Sequence, residues 1–97
     1  MNETQIKEVV LSTGNVNRKY LVRDLIFATD QINVDLFAEE NQLNDLLAPI
    51  KHQLKMKALE YGGDAVINCH FDYQQHGTIT NIFAYGTVVQ FTQTTIG

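Results

Sequence analysis

The sequence predicts an α+β fold in two layers: a β-hairpin, one main helix and a second β-hairpin, with the helix packed on one face of an antiparallel sheet. Three observations carry this. An apolar stripe at helical spacing runs from Leu43 to Tyr61. Stretches rich in β-branched and aromatic residues lie on either side of it. Formal charge also stops early: every Asp, Glu, Lys and Arg lies at or before Asp72, and residues 73–97 are rich in Thr, Ile, Val, Phe and Tyr with Gln and Asn between. That is strand composition. A chain of 97 residues is bounded to a single domain, 1–97, burying roughly 65% of the surface its unfolded form exposes.

The elements follow in order. Residues 5–13 read as a strand, Gly14-Asn15-Val16-Asn17 as a loop able to supply positive φ, and Tyr20 to Thr29 as a second strand, the two making a hairpin. Asp30 to Asp45 is a connector with five acidic residues and no basic ones, with some helix allowed at Leu36–Glu40. The main helix carries Leu43, Leu46, Leu47, Ile50, Leu54, Ala58 and Tyr61 on one stripe. Pro49 fits its first turn, where a missing N–H matters little, so the regular helix starts near Asp45–Pro49 or else is kinked there. Lys51, Lys55 and Lys57 load the later turns, as the helix dipole favours. Gly62 ends the helix in the left-handed C′ position.

Ala65 to Gln75 is the third strand. Strict alternation places Ala65, Ile67, Cys69, Phe71 and Tyr73 on one face and Val66, Asn68, His70 and Asp72 on the other. His76-Gly77 is a turn. The fourth strand, Ile79 to Thr92, is apolar on both faces, with Ile79, Phe83, Tyr85, Val89 and Phe91 on one and Ile82, Ala84, Gly86 and Val88 on the other. That pattern implies burial on both sides. One helix of about 13–18 residues, roughly 20–27 Å long, covers only one sheet face. The expected consequence is a homo-oligomer that buries the second.

Composition excludes several classes. The balance of 7 basic against 11 acidic residues, net −4, is wrong for tracking nucleic-acid phosphates. Charges at Glu3, Lys7 and Glu8 break any signal-peptide core, and no apolar run approaches the ~20 residues of a membrane span. A single cysteine excludes a disulfide framework and a multi-cysteine zinc finger, and suits a reducing cytoplasm.

Candidate chemistry is sparse. His70 and Asp72 stand at i, i+2 on one strand face and His76 follows, so two imidazoles and a carboxylate are candidate ligands for a transition metal. The bland alternative is the polar outer face of a hairpin. Cys69, alternating with Ile67 and Phe71, reads as a small core hydrophobe rather than a reagent. Gly62-Gly63 follows a helix C-terminus and is no phosphate loop, which would precede an N-terminus. Gly86, inside a strand, marks a close approach or a bulge. His52 among Lys51, Lys55 and Lys57 reads as a solvated face, and Tyr20, Tyr61, Tyr73 and Tyr85 as core or as pocket walls at subunit boundaries. Glu39-Glu40 diverge, and no nucleophile elbow or Ser-His-Asp spacing exists. An enzyme reading is left open only for a site at a subunit boundary.

Two segments carry a family resemblance. Ala58-Leu59-Glu60-Tyr61-Gly62-Gly63-Asp64-Ala65-Val66 resembles the helix-end and strand-start segment of the YbjQ-like family of small bacterial proteins, and Ala84-Tyr85-Gly86-Thr87-Val88-Val89 is similar to its last strand. Ser12-Thr13 also fits. The likeness is good over residues 55–91 and looser before them. Where the family usually has Gly-Gly-Arg, between the second strand and the helix, this chain has acidic residues and Pro49. The resemblance implies a dodecin-like subunit in a ring-shaped homopentamer and a heavy-metal-binding label. The expected function is a non-enzymatic, homo-oligomeric module binding a small ligand or a heavy metal. The alternative is a structural or protein-interaction ring with no small ligand.

Overall fold

A computed structural model describes residues 2–33 and 42–92. The elements are α1 (Glu3–Glu8), β1 (Val10–Leu11), β2 (Tyr20–Ile32), α2 (Leu43–Leu46), α3 (Ala48–Glu60), β3 (Ala65–His76) and β4 (Ile79–Phe91). The four strands form one mixed sheet in the order β1-β3-β4-β2. The α+β class stands, with the main helix α3 on one face of the sheet.

The first hairpin does not form. Asn2 and Gln5 make a capping box: the Gln5 N–H donates to Asn2 Oδ1 at 2.8 Å, and the Asn2 N–H donates to Gln5 Oε1 at 3.1 Å. With Glu3 in the first turn and Lys7 in the last, this start signal turns 3–8 into a helix. Ile6 is its buried anchor. Only Val10–Leu11 remains extended. It pairs in parallel with β3, at Val10↔Ala65 and Leu11↔Val66, so the sheet is mixed rather than antiparallel throughout. β2 pairs antiparallel with β4 over its whole length instead.

The main helix matches its sequence signals. A short turn, α2, leads into α3, and Pro49 sits in the first turn of α3. The suggested helix at 36–40 lies outside the described residues. Ile50, Leu54 and Ala58, at i, i+4, i+8, are fully buried against Ile26, Val66, Cys69, Ile82, Ala84 and Val88. Burying a Leu or Ile stabilises by about 1.5–3 kcal/mol. The helix ends in a Schellman motif: Gly62, at φ 75°, donates to the Leu59 carbonyl at 3.0 Å, and the Gly63 N–H reaches the Ala58 carbonyl at 2.8 Å.

The two layers differ in length. α3 has 13 residues and spans about 20 Å. β2 and β4 have 13 residues each and span about 43 Å. α3 therefore covers only about half the length of the sheet on its own face. It covers none of the opposite face.

Candidate functional site

The face opposite α3 is set by alternation along β4. Thr80, Ile82, Ala84, Gly86 and Val88 point toward the helix side and are buried. Phe83 and Tyr85 point the other way and are 42% and 37% exposed. From β2, Leu25 (59%) and Phe27 (53%) join them. Phe27 lies with its ring centroid 6.4 Å from Phe83 and 6.2 Å from Tyr85, and Phe83 and Tyr85 are 5.7 Å apart. These are distances of favourable aromatic pairing. Across the sheet the row is completed by His70 of β3, stacked on Tyr85 at 5.1 Å. Among the described residues only the end near Ala65 is sheltered: Ala65, Ile67 and Val89 form a small second core under Val16, Tyr20 and Phe91.

A bulge delivers His70 to this row. Ile67 pairs with Thr87 but His70 pairs with Tyr85, so β3 carries one residue more than β4 there. Asn68 takes the left-handed conformation, φ 52°. The bulge changes the alternation expected for β3. Val66 and Cys69 share the α3 face with Phe71, while Ala65 and Ile67 share the opposite face. Cys69 and Ile67 therefore do not share a face. Gly86 is what makes room: a Cβ there would lie 2.5 Å from Val66 Cγ1 and 3.3 Å from Cys69 Sγ.

The candidate ligands sit along β3 rather than around a point. His70 and Asp72 are exposed on the uncovered face. The His70 Nδ1 lies 3.0 Å from the Asn68 carbonyl oxygen. A carbonyl only accepts, so Nδ1 carries the hydrogen and Nε2 of the neutral ring keeps its lone pair. Asp72 Oδ1 accepts the Tyr73 N–H at 2.9 Å. His76 is six residues beyond His70 on the same extended strand, about 20 Å away. Among the described residues no three His, Cys, Asp or Glu side chains converge as a metal site.

Cys69 is buried against the core, its Sγ 3.4 Å from the Val66 carbonyl. Burial pushes its thiol pKa up, against a smaller lowering by the Ser12 backbone. It behaves as a core residue. His52, Lys51 and Lys55 line a cleft of about 470 Å³ with Lys7 of α1. A shallow hollow of about 340 Å³, lined by Asp72, Tyr73, Gln74, Asn81 and Phe83, borders the aromatic row. Sequence reading found Phe83, Tyr85 and His70 but not their partners on β2. The signal was present, since Leu25 and Phe27 alternate with Ile26 and Ala28.

The segment that ends the helix and starts β3 has a physical task at each position. Gly62 supplies the left-handed turn. Gly63 lies so close to Val88 and to the Ala58 and Val89 carbonyls that no side chain fits. Asp64 Oδ2 accepts the Phe91 N–H at 2.8 Å, fastening the end of β4. Ala65 and Val66 enter the sheet between β1 and β4.

Comparison with known proteins agrees with this reading of the fold. A solved structure from Pediococcus pentosaceus ATCC 25745, a protein of unknown function in the DUF74 family, superposes with a TM-score of 0.71. It is 23% identical, and the match covers 87% of this chain and 98% of that one, which shows a shared fold. No curated protein matches. Among the described residues no helix is long and apolar enough to cross a membrane. A family model described as "putative heavy-metal-binding" matches residues 3–92, and with nearly the whole chain covered, the protein belongs to that family, the YbjQ family.

Proposed function

We propose that this chain is a non-enzymatic binding module that works as a homo-oligomer, a pentameric ring, and holds a heavy-metal ion or another small ligand at the uncovered face of its sheet. One observation carries the reading: Leu25, Phe27, Phe83 and Tyr85 form a contiguous exposed apolar row on a sheet face that no element of the chain covers among the described residues. Such a patch marks an interaction surface. Enclosure by further copies of the chain removes it from water.

His70 and Asp72 lie on that face, and a backbone-anchored imidazole offering Nε2 is how metal-binding histidines are oriented. Two donors from one chain leave a transition-metal ion incompletely held. A neighbouring copy completes the set, and His76 takes part only through such a copy. The proposed setting is the cytoplasm, where the lone thiol of Cys69 stays reduced.

A second reading, a ring with no small ligand, is favoured by the engagement of His70 itself: its ring is already stacked on Tyr85 and bonded to Asn68. Metal analysis of untagged protein, followed by titration with Zn²⁺ or Cu²⁺, separates the two. Stoichiometric metal that is lost in His70→Ala supports the binder. A stable oligomer with no binding above background supports the structural ring.

A further inference from the structure

Among the described residues, both edges of the sheet carry outward-facing backbone groups. β1 reaches β3 only at Ala65 and Val66, followed by the Asn68 N–H to the Gly14 carbonyl and the Cys69 N–H to the Ser12 carbonyl, 2.9 Å each. Along a strand, alternate residues direct their N–H and C=O to the same side. Cys69 faces outward, so Phe71, Tyr73 and Gln75 do too. The Tyr73 N–H donates to the Asp72 carboxylate at 2.9 Å, in keeping with that phase. On β2 the N–H groups of Leu25 and Gln31 donate to Asp24 and Asp30, at 2.7 and 2.9 Å, and the Thr29 carbonyl accepts from Gln53 Nε2 of α3 at 3.1 Å. Leu25, Phe27, Thr29 and Gln31 are therefore the outward set of β2. The aspartate contacts on both edges join neighbouring residues at exposed positions.

The side-chain phase decides how these edges can join. Outward residues of β2 carry their side chains on the uncovered face, as the contacts of Phe27 show. Outward residues of β3 carry theirs on the α3 face, as Phe71 shows by packing on the core. In an antiparallel ladder, residues that exchange both bonds stand opposite each other with side chains on one face. Joining the two edges that way puts the helices of two copies on opposite faces. In a parallel ladder an outward residue stands beside an inward one. The outward residues of β2 then align with Asp72 and Gln74, on the same uncovered face, and the helices stay on one side. β2 and β3 both run antiparallel to β4, hence parallel to each other, as copies related by a rotation require.

We infer that the outer edge of β2 pairs in parallel with the outer edge of β3 in a second copy of this chain, so that successive copies share one continuous sheet. The contact uses two different edges, leaves one of each exposed at the ends of any open row, and loses both when the row closes into a ring. This rests on the homo-oligomer proposed above and names its interface.

Two experiments test it. Thr29→Pro removes one outward N–H and spares the bonds from β2 to β4, a change an edge strand tolerates. In sedimentation, wild type and Thr29→Ala run as the same multimer, while Thr29→Pro, with an unchanged far-UV circular dichroism spectrum, shifts to the single chain. If Thr29→Pro does not fold, cross-linking decides. In a Cys69→Ala background, Thr29→Cys is combined with Asp72→Cys, Gln74→Cys or His76→Cys and oxidised. The expected result is a ladder of cross-linked chains from at least one pair and none from any single variant. A folded Thr29→Pro that stays assembled, dimers from Thr29→Cys alone, or no ladder from a chain that still sediments as a multimer each overturns the edge pairing while the oligomer stands. Wild type sedimenting as a single chain overturns both.

Discussion

The imidazole of His70 lies flat on the phenol ring of Tyr85, with centroids 5.1 Å apart and planes 7° from parallel. The two residues are direct partners across β3 and β4, and they become so only because the bulge at Asn68 shifts the register by one. Tyr85 then links His70 to Phe83 and Phe27, so the candidate ligand and the candidate assembly surface are one continuous row.

Truncating that row is expected to weaken assembly more than folding. Tyr85→Ala removes three ring contacts from an exposed position. Aromatic pairs are worth about 0.5–1.5 kcal/mol beyond area burial. Sedimentation velocity across a dilution series should show Tyr85→Ala dissociating at higher concentration than wild type, with its far-UV circular dichroism spectrum retained. Assembly unaffected by this change would mean that the aromatic row is not enclosed between copies.

Gly86→Ala is expected to destabilise the subunit by about 1–3 kcal/mol, the usual range for an overpacked core. The added Cβ meets Val66 Cγ1 and Cys69 Sγ inside the sheet, where β3 has no slack because the bulge is already in place. Urea unfolding measures the loss. A variant as stable as wild type would mean that the bulge relaxes around the new methyl group.

Asn2→Ala removes one half of the capping box, the Oδ1 that accepts the Gln5 N–H, and keeps the backbone N–H at position 2 that donates to Gln5 Oε1. Such a loss costs about 0.5–2 kcal/mol. α1 is short, so the effect should be local. Hydrogen exchange at the first turns of 3–8 is expected to accelerate, with little change at β4.

The raised pKa of Cys69 gives stability a pH dependence. The folded chain holds the thiol protonated to higher pH than the unfolded chain does. Above the ordinary thiol pKa, about 8.5, the unfolded state releases its proton first. The contribution of the buried thiol is thus fully present at neutral pH and is lost as pH rises through the folded-state pKa. Unfolding midpoints of wild type should fall more steeply above about pH 8.5 than those of Cys69→Ala. Parallel curves would mean that the thiol is not shielded.

The helix and the second hairpin were legible because local and tertiary signals agree there. Ile50, Leu54 and Ala58 recur at helical spacing, Pro49 and Gly62 punctuate the ends, and β4 alternates without interruption. The start of the chain was misread because Ile6, Val9 and Val10 resemble a strand in composition, while the decisive signal, Asn2 with Gln5, is a pair of side-chain bonds three residues apart. The pairing of β2 with β4 joins residues 48 to 71 apart in the chain, from Ile32↔Thr80 to Tyr20↔Phe91, which no local pattern encodes. The face swap on β3 turned on a single left-handed Asn68, and only the nearby Gly86 hinted at it. As for the site, the spacing of His70 and Asp72 was correctly read as one strand face, but His76 follows on an extended strand that carries it away.

Sedimentation equilibrium of the untagged protein at micromolar concentration tests the central claim most directly. The proposed pentameric ring requires a particle of five 11.0 kDa chains. A particle of one chain across the whole concentration range would contradict it.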